Sequence, residues 1–263
     1  MDLNSRIERS SAANRVLLRA AIWVSVAAIL AASATSAKEE SEPTLPDDGA
    51  WARYEVEWNR LDNGEKSSRK VTLSFVGRVM EQTMACQWIE IKTIVPAGDA
   101  DEGTYLSKYL VRQEDLLKSN NPLVDVIRAW SKFNDGAPHA PARTQRPDIG
   151  WGSLLLWTPG ALKDATRSDG MKDVEYQKGR LKACFPRTGR LSLPVRDANG
   201  NVAITWSRKF TIWQHADLPI GFASAEVTDE VLGSDGKVRS EQSTVFILED
   251  AGNGAKSELP DSN

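Results

Sequence analysis

The sequence predicts a mainly β protein: a strongly curved antiparallel sheet, or incomplete barrel, with a helical insert on its concave face. Three observations predict it. Apolar residues recur with period two through most of the chain. Asn-Gly and Asp-Gly dipeptides stand between those runs, where tight hairpins need residues that tolerate positive φ. One stretch carries a good helical spacing, and a lone amphipathic helix among strands must bury its apolar face on the sheet.

The first run, "WARYEVEWNR", places Tyr54, Val56 and Trp58 on one face and Arg53, Glu55 and Glu57 on the other, the mark of a half-buried strand. Asn63-Gly64 turns the chain, and "RKVTLSFVG" returns with Val71, Leu73 and Phe75 inward. "MACQWIEIKTIV" is apolar on both faces in places and reads as a more central strand; "TYLSKYLVRQ" is a fourth. The helical spacing follows, in "NNPLVDVIRAWSKFNDG". Asn121 caps, Pro122 takes the first helical position, and Leu123, Val126, Ile127 and Trp130 form one apolar face. "WGSLLLWTPGALKDAT" reads either as a short helical turn or as a buried strand.

The second half returns to strands. "DVEYQKGRLKACF" suggests two short ones around Gly179, and Asn199-Gly200 and Asp235-Gly236 are further hairpin signals. "VAITWSRKFTI" keeps Val202, Ile204, Trp206, Phe210 and Ile212 in one parity, broken only by Arg208. Uninterrupted from Asn201 to Trp213, it spans ~43 Å at ~3.3 Å per residue. That exceeds the usual strand length and implies a strongly curled sheet. His215, one of two histidines, falls in the connector after it and reads as a solvent-facing turn residue.

The ends read differently. Residues 1–37 carry Arg15 and Arg19 and then the apolar run Ala20 to Ala34, a secretory signal pattern, with a retained membrane anchor as the alternative. Residues 38–50 read as a flexible leader, 51–250 as a single β-rich domain and 251–263 as a flexible tail. Loss of residues 1–37 removes four basic and two acidic residues and moves the formal charge from −3 to −5. With no basic stripe, nucleic acid is a poor partner, and no transmembrane span remains. Export places Cys86 and Cys184 in an oxidising compartment, where they read as one disulfide or as two buried free thiols. A bridge closing so long a loop would stabilise by about 4.7 kcal/mol.

Chemistry-bearing patterns are scarce. "GWGSL" puts Ser153 after Gly152, but Leu155 stands where a nucleophile elbow needs glycine. Metal-binding spacings and phosphate loops are absent, so no metal, cofactor or catalytic residue is expected. His139 lies in a Pro/Ala-rich loop. Glu90, beside Trp88 and Ile89 in a central strand, is the most interesting carboxylate, its alternative being an outward-facing one. Nine tryptophans are many. They read first as core packing, and second as the lining of an apolar cavity between sheet and helix, with Val126, Ile127, Trp130 and Trp206 as candidate ligand-lining residues.

The stretch from Phe210 to Asp250 runs aromatic strand, "W…ADLPI" connector, strand, Asp-Gly turn, strand. In that order it resembles the lipoprotein-carrier (LolA-like) superfamily, and it is also similar to uncharacterised secreted bacterial proteins. The resemblance implies a half-barrel whose concave face, covered by helices, holds acyl chains. It carries over no ligand contact and no disulfide. The resulting expectation is an exported, periplasmic or extracellular, non-enzymatic binding protein for a lipid or other apolar small molecule. The alternatives are an envelope interaction or stress-sensing protein that meets another envelope protein, and a hydrolase of unidentified type.

Overall fold

A computed structural model describes residues 45–99, 102–123, 125–140, 149–196 and 200–260. The expected signal segment, residues 1–37, and residues 38–44 of the expected leader lie outside them. Eleven strands form one sheet: β1 (Trp51–Arg60), β2 (Lys66–Glu81), β3 (Met84–Val95), β4 (Gly103–Arg112), β5 (Arg128–Phe133), β6 (Thr166–Arg167), β7 (Lys172–Tyr176), β8 (Gly179–Arg196), β9 (Val202–Gln214), β10 (Ser224–Gly233) and β11 (Val238–Gly252). Their order is β5-β4-β3-β2-β1-β11-β10-β9-β8-β6, with β7 paired to β8 off this path. The pairings are antiparallel, and the sheet does not close on itself. Both period-two reading and hairpin signals are met: Gly64 and Gly236 turn the chain at φ of 71° and 74°.

Two successions of hairpins, β1 to β5 and β8 to β11, meet along the β1–β11 seam, where Trp51 through Arg60 face Gly252 through Gln242. Alternation sends Ala52, Tyr54 and Val56 of β1, Val71, Leu73 and Phe75 of β2, Phe210 and Ile212 of β9, and Phe246 and Leu248 of β11 into the main core. A segment joining β5 to β6 lies over this same face. It comprises a 3₁₀ turn (Ile149–Leu155) and helix α2 (Pro159–Leu162), and it packs on helix α1 (Gln113–Lys118). The Trp157 ring stacks 5.8 Å from Phe75 of β2, while Gly152 comes against Arg208 of β9, four strands further on. One short segment reaching both places requires the sheet to curl around it. Leu154, Leu155 and Leu156 fill the space inside. Gly160 permits the α1–α2 contact, since a Cβ there would lie 2.4 Å from the Ser119 carbonyl oxygen.

The helix expected over residues 121–133 is not formed. Residues 128–133 are β5, hydrogen-bonded to β4, and among the described residues the helices are α1 and α2 instead. The apolar residues that mimic one helical stripe serve two cores on opposite faces. Leu123 and Val126 join the main core; Ile127 and Trp130 join a second cluster with Cys86, Trp88, Leu106, Leu110 and Leu259. Helix α1 gathers signals that the strand reading of "YLVRQ" passed over: Glu114 and Asp115 in its first turn and a 2.8 Å Glu114–Lys118 pair.

The expected disulfide is also absent. Cys86 and Cys184 are free and buried, Cys86 in the second cluster and Cys184 in the main core, on opposite faces of the sheet. The stretches read as leader and tail are tied down where they are described. Gly49 donates to the Phe75 carbonyl at 2.7 Å, Ala255 donates to Gly49 at 2.9 Å, and Leu259 is buried. Among the described residues no helix is long and apolar enough to cross a membrane.

Candidate functional site

Two surfaces carry chemistry. The first is the concave face toward the β8–β9 turn. Register places Trp206 opposite Leu193 and Val231, Ile204 opposite Val195, and Arg208 opposite Leu191 and Asp229. Arg208, the one polar residue in an apolar parity, is 1% exposed and grips Asp229 with paired bonds of 2.7 and 2.8 Å. Its guanidinium also lies 4.4 Å from the Trp206 ring centre. Beyond this point Val195, Val202 and Ile204 are exposed, so the apolar face continues past the helical segment.

Two more arginines stand at the ends of one row across this face. Arg69 pairs with Val56, Val56 with Phe246, Phe246 with Ala225, Ala225 with Ile212 and Ile212 with Arg187. Paired residues share a face, so both arginines point to the concave side. The Nε atoms of both are buried without an acceptor, and Arg69 stacks 4.9 Å from Trp58. The candidate lining residues divide: Trp206 and Val126 pack with the main core, Ile127 and Trp130 with the cluster on the other side of the sheet.

The second surface is on that other, convex side. Ser74, Glu90, Lys108 and Trp130 form one row across β2, β3, β4 and β5. The chain after β11 crosses this row as a strap. Glu90 accepts from Ser257 Oγ at 2.9 Å and from the backbone N–H groups of Glu258 and Leu259 at 3.2 and 3.3 Å. Lys108, fully buried, donates to Ser257 Oγ at 2.7 Å and to the Leu259 and Pro260 carbonyls at 3.0 and 3.3 Å, with its Nζ 4.8 Å from the Trp88 ring centre. Burial pushes the Glu90 carboxyl above the usual range, and the Glu258 amide, the Ser257 hydroxyl and the Lys108 charge pull against it. The outward-facing alternative for Glu90 is therefore half right: its side chain points outward and the strap buries it.

Grooves flank the strap. One, of about 280 Å³, is lined by Trp51, Thr72, Ser74, Glu90 and Asn253; the other, of about 510 Å³, by Thr104, Leu106, Lys132, Asn134 and Asp135. Lys92 and Glu258, paired at 2.8 Å, stand between them and line both.

The hydrolase candidates do not converge. Ser153 is buried in the 3₁₀ turn, Glu90 lies under the strap, and His215 accepts from the Asp217 N–H at 3.2 Å within its own connector. Among the described residues no group of His, Cys, Asp and Glu is placed to hold a metal ion. Sequence reasoning missed Lys108 and Ser257. The Lys108 signal was a lysine between Leu106 and Leu110 on one face of its strand; Ser257 left none in a stretch read as tail.

No protein-family model matches the chain, and no curated protein matches it in sequence. Among solved structures it is similar to a putative outer membrane lipoprotein-sorting protein domain from Vibrio parahaemolyticus. That match has 10% identity and a TM-score of 0.34, and covers 82% of this chain and 89% of that one. It is similar also to a DUF1329 family protein from Desulfovibrio piger, at 11% identity and a TM-score of 0.33, covering 81% and 87%.

Proposed function

We propose that this is an exported, non-enzymatic binding protein that holds a lipid or other apolar ligand against its concave face. The observation that carries this reading is the apolar face continuing past the helical segment into exposed Val195, Val202 and Ile204. Apolar surface left open on a curved sheet, with aromatic side chains beside it, is the chemistry of an acyl-chain site. Trp206, opposite Leu193 and Val231, borders it, and further along the same face the Nε atoms of Arg69 and Arg187, buried without an acceptor, suit an acidic end group. Export rests on the basic and apolar pattern of residues 1–37. Organic extracts of the purified protein, read by mass spectrometry, are expected to contain a co-purified lipid, and added fatty acid is expected to raise the melting temperature. An empty extract together with an unmoved melting temperature for fatty acids and phospholipids overturns the reading.

A further inference from the structure

The strap is held by its backbone as much as by its side chains. Glu90 takes two consecutive backbone N–H groups, and Lys108 takes two consecutive carbonyls. Trp88, Leu106, Leu110 and Trp130 surround the Leu259 side chain. Lys92 pairs with Glu258, and Ser257 is bonded to both Glu90 and Lys108. Hydroxyl, acid and leucine are each met by a matching group, in series, and most of the recognition goes to backbone atoms, the Pro260 carbonyl among them. A tail needed only to cover the second cluster requires an apolar contact, not a buried carboxylate and ammonium that cost several kcal/mol each to dehydrate.

Two further observations bear on whether the tail can leave. It departs from β11 through Gly252-Asn253-Gly254, with Gly254 at a φ of 90° that only glycine adopts readily, and before the strap its backbone is tied by the Ala255–Gly49 bond of 2.9 Å. The tail also leaves room beside it: a groove lies on either side, and the Lys92–Glu258 pair lines both.

We propose that the convex groove over Glu90 and Lys108 is a peptide-binding site, occupied in cis by residues 254–260. In trans it takes an extended segment of a partner protein in which a hydroxyl side chain, an acidic residue and leucine follow one another. The partner segment lifts the tail and runs on into the flanking grooves.

The test uses the full chain and a fluorescent synthetic peptide with the sequence of residues 254–260. In the wild type the tail competes at an effective concentration on the order of mM, so the peptide binds weakly. Leu259→Ala removes the tail's apolar anchor without touching the groove, and peptide affinity read by anisotropy is expected to rise about tenfold as that competition weakens. Glu90→Gln in the same background is expected to abolish the gain, and a scrambled peptide to bind neither protein. Hydrogen exchange on the wild type keeps the test valid if Leu259→Ala folds poorly: excess peptide is expected to speed exchange of the Glu258 and Leu259 amides while β1 stays protected. Exchange unmoved by peptide, or scrambled peptide bound as well as the true sequence, overturns the proposal. A concentration-dependent dimer that the peptide dissolves assigns the groove to tails exchanged between two copies and overturns the partner reading.

Discussion

Arg208 is the residue whose placement the alternation of β9 marks most sharply. Every neighbour in its parity is apolar, and the structure keeps it there, 1% exposed, by means of Asp229. Removing one partner of a buried pair leaves an uncompensated charge, so Asp229→Ala is expected to lower stability by about 3 kcal/mol, read by urea denaturation. Its position was legible as a break in a pattern, because one strand's period is local information. Its partner was not, since Asp229 lies on the next strand and register is set by the whole sheet. The same limit explains Lys108. A lysine inside an apolar strand is visible, but the Ser257 hydroxyl and the Leu259 carbonyl that satisfy it come from about 150 residues along the chain. Tyr54 is a further case: its hydroxyl accepts from the Phe222 N–H at 3.1 Å, a bond joining β1 to the "DLPIGF" connector that no spacing foretells.

At the scale of elements, the strap changes how acidity acts on the protein. Burial holds the folded-state affinity of Glu90 for its proton above that of the unfolded chain. The folded state therefore binds more protons, and this group's contribution to stability rises as pH falls from the folded value toward the unfolded one. Glu90→Gln is expected to flatten that part of the stability–pH profile, measured by melting temperature across mildly acidic buffers; an unchanged slope would show that Glu90 does not carry it. Strands and hairpins were legible because period two and the Asn-Gly and Asp-Gly turns act over a few residues. Residues 121–133 were not, because Leu123 and Val126 pack on one side of the sheet and Ile127 and Trp130 on the other. A stripe drawn on a sequence cannot tell one apolar surface from two. Residues 254–260 escaped for the converse reason: a segment with one buried leucine has no period to detect, and its anchors belong to β3 and β4.

For the molecule as a whole, the curl follows from strand length. The thirteen residues of β9 are paired over most of their length on both sides, and strands this long twist their sheet around whatever fills its inner face. The core does without a covalent brace. Cys86 and Cys184 lie in different clusters, so a thiol reductant is expected to leave the melting temperature where it was, and both thiols are expected to react with a thiol reagent only after unfolding. The pairing of β1 with β11 has a different kind of consequence, one that concerns synthesis. The first strand of the sheet to leave the ribosome finds one of its two neighbours only when the last strand emerges. Until then Trp51–Arg60 presents a row of open backbone donors and acceptors, the template on which unfinished or truncated chains join one another.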